Sequence, residues 1–224
     1  MTAEQLILEL PHRPALGAED FLVSDCNLGA VRLIDAWPRW QNNIQLLIGP
    51  AASGKTHLVR VWQARSAAVT LTSGADIGAL EANEGEGVVL EDIDRAGYEE
   101  SWLFHLLNLV RERDLSLLLT SRKAPIHLDF SLPDLTSRLN AAPAIRIGAP
   151  DDALLKTVML KHFADRQLPI EPKVLEVLAL HIDRSLAAAA MAVEAVDREA
   201  LASGGRITRQ LVMRALRRGA VETG

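Results

Sequence analysis

The chain has 224 residues, of which 49% are hydrophobic, and its formal net charge is −5. This length suits one α/β core with a small appended subdomain, and no apolar run approaches the roughly 18 residues that a membrane span needs. The negative charge argues against broad, unaided binding to nucleic acid, which depends on Lys and Arg contacts to phosphates. The N-terminus lacks the basic region of a signal peptide, and the single cysteine, Cys26, cannot form an internal disulfide. We therefore expect a cytoplasmic protein without a membrane span.

Short apolar runs alternate with helical stretches through the first two thirds of the chain. The predicted strands are 44–48, 67–71, 88–90, 115–119 and 144–147, and helices are predicted over 56–64 and 101–113. Such alternation favours a parallel sheet, because each crossover helix has to cover a sheet face. The sequence therefore predicts a doubly wound α/β fold with a five-stranded parallel sheet.

After Pro150 the strand signals stop, and helices are predicted over 151–166, 172–182, 186–202 and 208–218. Gly204 and Gly205 are suited to end the third of these helices, and Thr208 to cap the fourth. We expect three parts: a tail and linker over 1–14, an α/β domain over 15–150 and a helical lid over 151–220.

A phosphate-binding loop follows the first predicted strand. It matches the pattern G-x-x-x-x-G-K-[ST] between a strand and a helix, and it consists of Gly49, Pro50, Ala51, Ala52, Ser53, Gly54, Lys55 and Thr56. The glycines let the backbone amides turn towards phosphate oxygens, and the helix adds its positive N-terminus. Lys55 is expected to reach the β- and γ-phosphates, and the Thr56 hydroxyl to bind Mg²⁺.

Two adjacent acids end the third predicted strand. Glu91 is the candidate for holding Mg²⁺ through its waters, and Asp92 for orienting an attacking water. The usual order is Asp then Glu, so the swapped lengths predict loose hydrolytic geometry and weak intrinsic ATPase activity. The alternative is a strand end followed by an acidic turn, with Asp94 capping the next segment.

Beyond these motifs, the chain resembles the DnaA-related AAA+ family, and within it the Hda group of shortened regulatory homologues. The segments that carry the resemblance are Phe21-Leu22-Val23 with Asn27, Leu119-Thr120-Ser121-Arg122, and Leu132 to Leu139. The resemblance covers about residues 21–218 and implies that ADP or ATP is bound. It also implies that Leu22, Asn27, His57 and Ser121 help to line the nucleotide site.

The family's sensor 2 arginine falls on Ala187 in this sequence, and Arg184 stands three residues earlier. This departure puts in doubt any coupling of the chain's own ATP to a lid motion. It suits a protein that holds ADP as a structural ligand.

The N-terminal tail contains Gln5, Leu6, Leu8 and Leu10. Taken alone, such an extended segment offers a polar anchor and alternating apolar side chains to a pocket, but an edge strand or a disordered end has the same appearance. This tail resembles the peptide by which members of the Hda group dock on the sliding clamp of DNA polymerase III. The resemblance therefore implies that Gln5 and these leucines bind the clamp.

Arg138 matches the position of the family's arginine finger. Such a residue brings a fixed positive fork to a γ-phosphate, and the resemblance implies that Arg138 acts in trans on ATP held by a DnaA initiator. The alternative is a surface arginine paired with Asp134 four residues earlier, which would contribute little.

No DNA-binding domain follows the last predicted helix, so we do not expect a complete initiator. The resemblance implies a negative regulator of replication initiation that contacts DNA only through the clamp and possesses at most weak ATPase activity of its own. The other hypothesis is an autonomous AAA+ ATPase of the helicase-loader type. The sequence leaves homo-oligomerisation open.

Overall fold

The computed structural model describes residues 21–82, 87–204 and 206–222. Five parallel strands form one sheet in the order β2-β3-β4-β1-β5. The strands are β1 (Ile44–Ile48), β2 (Val69–Thr70), β3 (Gly87–Leu90), β4 (Ser116–Ser121) and β5 (Ala144–Arg146). The prediction of an α/β fold with a five-stranded parallel sheet is confirmed.

Four helices accompany the sheet: α1 (Leu28–Ala36), α2 (Lys55–Ser66), α3 (Glu100–Glu112) and α4 (Pro133–Ala141). Short 3₁₀ segments occupy Ile77–Ala82 and Pro125–His127. The helices α1 and α4 are additions to what the sequence pattern predicted. Each has nine residues and an N-cap without a side-chain hydrogen bond.

Alternate residues of the central strands pack on opposite faces of the sheet, as the two-residue period of a strand requires. Leu46 and Ile48 of β1 join a buried cluster with α3 and α4. Leu47, between them, joins a second cluster with α1 and α2, in which Trp62 is fully buried. The sheet is thus covered on both faces, with α1 and α2 on one side and α3 and α4 on the other.

Four further helices follow β5: α5 (Asp152–Asp165), α6 (Pro172–Leu180), α7 (Leu186–Ser203) and α8 (Arg209–Glu222). They enclose a buried cluster of their own, in which Met159, Phe163 and Val193 are fully buried. Gly204 ends α7 in the left-handed conformation, and the Thr208 hydroxyl accepts a hydrogen bond from the Leu211 amide at 3.3 Å. None of the helices in the described part of the chain is long and apolar enough to cross a bilayer.

Candidate functional site

The phosphate loop connects the end of β1 to the start of α2. Ala52 and Gly54 adopt left-handed backbone conformations, with φ of 57° and 94°, so the loop curls tightly before Lys55 begins the helix. Gly54 is the N-cap of α2, and no side chain caps the helix there. The first amides of a helix lack intrahelical acceptors, so this end of α2 is suited to an anion.

Gly49 and Ser53 show how closely the loop is closed. A Cβ atom at Gly49 would lie 2.6 Å from the Ser53 Oγ and 3.1 Å from Ile147. The Ser53 hydroxyl is buried, and it has no hydrogen-bond partner among the described residues. A buried polar atom of this kind needs an acceptor or donor, and phosphate oxygens at the loop would supply one. The loop therefore fits the phosphates of a nucleotide.

The Lys55 side chain lies under this loop. Its ammonium donates to the carbonyl of Gly49 at 2.7 Å and to that of Pro50 at 2.9 Å. Burial lowers the pKa of Lys55, against the effect of the nearby Asp92 carboxylate and in the same direction as the Arg122 charge. The ammonium can exchange these two carbonyl contacts for phosphate oxygens, because hydrogen bonds between charged partners are stronger.

The structure brings Thr56 and Glu91 together across 35 positions of sequence. The Thr56 hydroxyl donates to Glu91 Oε2 at 2.5 Å. Both side chains offer oxygen, the donor that Mg²⁺ prefers, so this pair fits a magnesium ion that also takes ligands from phosphates and water. Within the described residues, no group of three or more His, Cys, Asp or Glu side chains could hold a metal by itself.

Asp92 lies beside this pair in an unusual conformation. Its φ of 51° is left-handed, and its amide donates to the Thr120 hydroxyl on β4 at 2.9 Å. Backbone strain of this kind persists where surrounding contacts impose it. The Asp92 charge opposes the lowering of the Lys55 pKa by burial, so this carboxylate acts electrostatically on the phosphate site.

Ser121, which was expected to help line the nucleotide site, ends β4 next to the loop. Its carbonyl accepts from the Gly49 amide at 3.0 Å, and its buried hydroxyl lies 2.7 Å from the Lys123 carbonyl and 3.2 Å from Asp94 Oδ1. Asp94 also accepts from the Arg122 amide at 3.1 Å. Asp94, which the alternative interpretation of the sequence makes a cap for the next segment, thus connects the turn after β3 to the turn after β4.

The segment before α1 covers the start of α2. The rings of Phe21 and His57 stack with centroids 5.0 Å apart, and the Phe21 ring also faces Gly54. Asn27 is buried, and its amide group bridges the Leu22 carbonyl at 2.9 Å and the Ser24 amide at 2.9 Å. The Asn27 side chain therefore shapes the loop that holds Leu22.

Arg138 lies in the last turn of α4 and faces α3. Its guanidinium donates to Asn108 Oδ1 at 2.6 Å and sits 4.8 Å from the ring centroid of Phe104. Among the described residues it makes these contacts instead of the alternative pair with Asp134. The sequence interpretation missed Asn108 and Phe104, although their spacing of four on one helix was visible.

Arg138 stands away from the phosphate loop of its own chain. It lines a cleft of about 490 Å³ with Asn42, Asn43 and Ile44, at the start of β1, whereas Gly49 follows the end of that strand. Five strand residues extend about 16 Å, so the two sites lie towards opposite ends of the sheet.

Arg184 contacts α5. It forms an ion pair with Asp152, at 2.7 Å between Nη2 and Oδ1, in which both side chains are largely exposed. Ala187 is the second residue of α7. The predicted clamp-binding residues Gln5, Leu6, Leu8 and Leu10 lie outside the described residues.

Solved structures resemble this arrangement over most of its length. Domain III of the Thermotoga maritima replication initiation protein DnaA matches with a TM-score of 0.72 and 18% identity, over 92% of this chain and 97% of that one. The chain has the AAA+ fold of DnaA domain III. AMPPCP-bound DnaA from Aquifex aeolicus matches with a TM-score of 0.68 and 17% identity, over 92% of this chain and 70% of that one.

The Thermotoga maritima RuvB Holliday junction branch migration motor also resembles this fold. It matches with a TM-score of 0.60 and 16% identity, over 77% of this chain and 60% of that one. No protein-family model matches the sequence, and no curated protein matches it. At these identities the structural likeness shows the fold alone.

Proposed function

We propose that this AAA+ chain binds ADP or ATP with Mg²⁺ at the loop Gly49–Thr56. Lys55 and the loop amides would hold the phosphates, and Thr56 and Glu91 would hold the magnesium ion, which neutralises phosphate charge when bound. The buried Ser53 hydroxyl without a described partner supports this assignment, as does the direct contact between Thr56 and Glu91.

We propose further that the chain is a regulatory adaptor of the Hda type, which stimulates ATP hydrolysis on a DnaA initiator. The observation that carries this proposal is the position of Arg138, which is held by Asn108 and Phe104 towards the end of the sheet opposite its own phosphate loop. A fixed guanidinium there is better placed for a nucleotide on a second subunit than for its own. Its role would be to neutralise charge on the partner's γ-phosphate during transfer to water.

The proposed adaptor docks on the sliding clamp of DNA polymerase III through the tail residues Gln5, Leu6, Leu8 and Leu10, and contacts DNA only through the clamp. In this proposal residues 1–14 are a tail and linker, 15–150 the nucleotide-binding domain and 151–220 a helical lid. The basis for the tail is its alternation of apolar side chains after a glutamine.

The test measures ATP hydrolysis by purified DnaA initiator in the presence of DNA-loaded clamp. We expect the wild-type chain to stimulate hydrolysis, and Arg138→Ala to lower the stimulated rate by about 10³-fold or more. Gln5→Ala should weaken clamp docking and therefore lower stimulation at low protein concentration. Raising the protein concentration should restore the stimulated rate. Arg60→Ala, an exposed arginine on α2, is the matched control and should stimulate fully.

Equal stimulation by the wild type, Gln5→Ala and Arg138→Ala would contradict the adaptor proposal. The second candidate is then an autonomous ATPase of the helicase-loader type. The place of Asp92 just beyond the end of β3, next to Glu91 and hydrogen-bonded to Thr120 of β4, favours that candidate. Rapid ATP turnover by the chain alone would support it, whereas retained ADP in the purified protein would support the adaptor.

A further inference from the structure

The N-cap residue of α4, the helix that carries Arg138, has no side chain able to accept a hydrogen bond from the first amides of the helix. Leu132 is the N-cap of α4 and makes no side-chain hydrogen bond there, and Pro133 occupies the first turn. Amides at a helix start need acceptors from outside the helix, and side-chain oxygens commonly supply them. A side-chain acceptor at the start of α4 therefore comes from another segment of the fold.

Glu100, the first residue of α3, supplies it. Its two carboxylate oxygens accept from the Ser131 amide at 2.9 and 3.0 Å, and Oε2 also accepts from the Leu132 amide at 2.6 Å. These backbone hydrogen bonds lower the pKa of Glu100. The carboxylate is therefore held in its charged form at the positive end of α4, where a negative charge is favourable.

The same face of α3 also holds the far end of α4. Glu100, Phe104 and Asn108 follow one another at intervals of four, so they form one stripe along the helix. Glu100 binds the start of α4, and Phe104 and Asn108 contact Arg138 in the last turn of α4. Between these ends, Leu103 and Leu107 share a buried cluster with Leu135 and Leu139.

We propose that Glu100 is a positioning residue for Arg138. By fixing the start of α4, it sets the direction in which the helix presents the guanidinium, while Asn108 and Phe104 set its side-chain conformation. This inference rests on the proposed role of Arg138 in trans. Loss of the Glu100 carboxylate leaves two amides without their acceptor and lets the start of α4 shift, so Arg138 meets its target less often in the productive geometry.

The experiment uses full-length chains carrying Glu100→Gln, Glu100→Ala or Arg138→Ala, with DnaA initiator and DNA-loaded clamp. Glu100→Gln keeps the side-chain length and one acceptor oxygen but removes the charge. Asp134→Asn is the matched control, because Asp134 is an exposed acid in the first turn of the same helix. Stimulated hydrolysis is measured against chain concentration, together with Tm and ADP retention.

Glu100→Ala is expected to lower the maximal stimulated rate by about 10-fold to 100-fold, as misplacement of a reacting group does. Glu100→Gln should give a smaller loss, and Asp134→Asn none. The concentration for half-maximal stimulation and ADP retention should change by less than about 2-fold. In the Arg138→Ala background, Glu100→Ala should cause no further loss, because it acts through that side chain.

Full stimulation by Glu100→Ala, when Arg138→Ala abolishes stimulation, would overturn this inference and leave the proposed function intact. Full stimulation by Arg138→Ala would instead overturn the proposed function. If Glu100→Ala unfolds, Glu100→Gln decides the question. A parallel fall of stimulation, Tm and ADP retention in Glu100→Gln would show a merely structural role and would also overturn the inference.

Discussion

Gly54 is restricted in two independent ways. Its φ of 94° is a conformation that residues with a Cβ rarely adopt, and a Cβ there would lie 2.7 Å from the Phe21 ring. The turn of the phosphate loop at Gly54 therefore packs directly against the Phe21 ring of the segment before α1, with no room for a Cβ between them. Any side chain at this position disturbs both.

We expect Gly54→Ala to lower the free energy of unfolding by about 1 to 3 kcal/mol and to weaken ADP binding. Gly97→Ala is the control, because Gly97 has φ of 65° but a Cβ added to it would meet no atom within 4 Å. The control should show the cost of the backbone conformation alone, about 1 kcal/mol. Chemical denaturation and ADP titration measure the two effects, and equal losses in both variants would argue against a role for the Phe21 contact.

The site residues that could be predicted are those that are adjacent in the sequence. The loop from Gly49 to Thr56 is one uninterrupted segment, so its spacing alone predicted where it lies between β1 and α2. The partners of Arg138 could not be predicted this way. Asn108 is 30 positions distant, and only the packing of α3 against α4 brings the two together.

Strength of pattern separates the elements that were predicted from those that were missed. The stretch 44–48 coincides with β1, and 101–113 lies within one residue of α3, because the first is a short, mostly apolar run and the second has apolar residues at helical spacing. The second predicted strand, 67–71, is only Val69–Thr70 in the structure. The short helices α1 and α4 depend on tertiary packing for their stability, which local sequence does not reveal.

Among the helices after β5, α5 contains a histidine whose charge opposes folding. Burial lowers the pKa of His162 below its ordinary value of 6.5, and the Arg166 charge acts in the same direction. The neutral ring is therefore favoured in the folded state. Because the unfolded chain binds the proton more readily, stability is lost as the pH falls from 6.5 through the lower folded pKa.

We expect His162→Gln to reduce this pH dependence. Between about pH 7.5 and about pH 5.5, the Tm of the wild type should fall by more than that of the variant. His127→Gln, which replaces an exposed histidine, should retain the wild-type pH dependence. Thermal unfolding followed by circular dichroism gives the comparison, and identical slopes for wild type and His162→Gln would contradict the assignment.

At the scale of the whole molecule, the alternation of strands and helices carried the fold prediction, because parallel strands need crossover helices. The sheet order was not predictable from that alternation. The pairing of β1 with both β4 and β5 joins segments distant in sequence, and it places the phosphate loop beside Ser121. The separate cluster of α5 to α8 follows from a change to helical periodicity after Pro150.

The proposed nucleotide should stabilise the whole fold, because it binds the folded chain and not the unfolded one. At about 100 times its Kd, ADP with Mg²⁺ adds about 2.7 kcal/mol, which corresponds to a rise in Tm of about 5 to 10 °C for a chain of this size. Lys55→Ala should abolish most of the rise. Lys123→Ala, a half-exposed lysine beyond β4, should keep it, and an undiminished rise in Lys55→Ala would contradict the assignment of the phosphate site.

The two-residue period of the strands has a consequence for how this molecule can change. Leu47 faces the layer that contains the start of α2, while Leu46 and Ile48 face the layer that contains Arg138. In the described part of the chain the two layers share no buried cluster, so a substitution on the outer surface of one layer is expected to leave the packing of the other unchanged. The part that presents Arg138 can therefore diverge to suit a new partner while the phosphate loop keeps its shape.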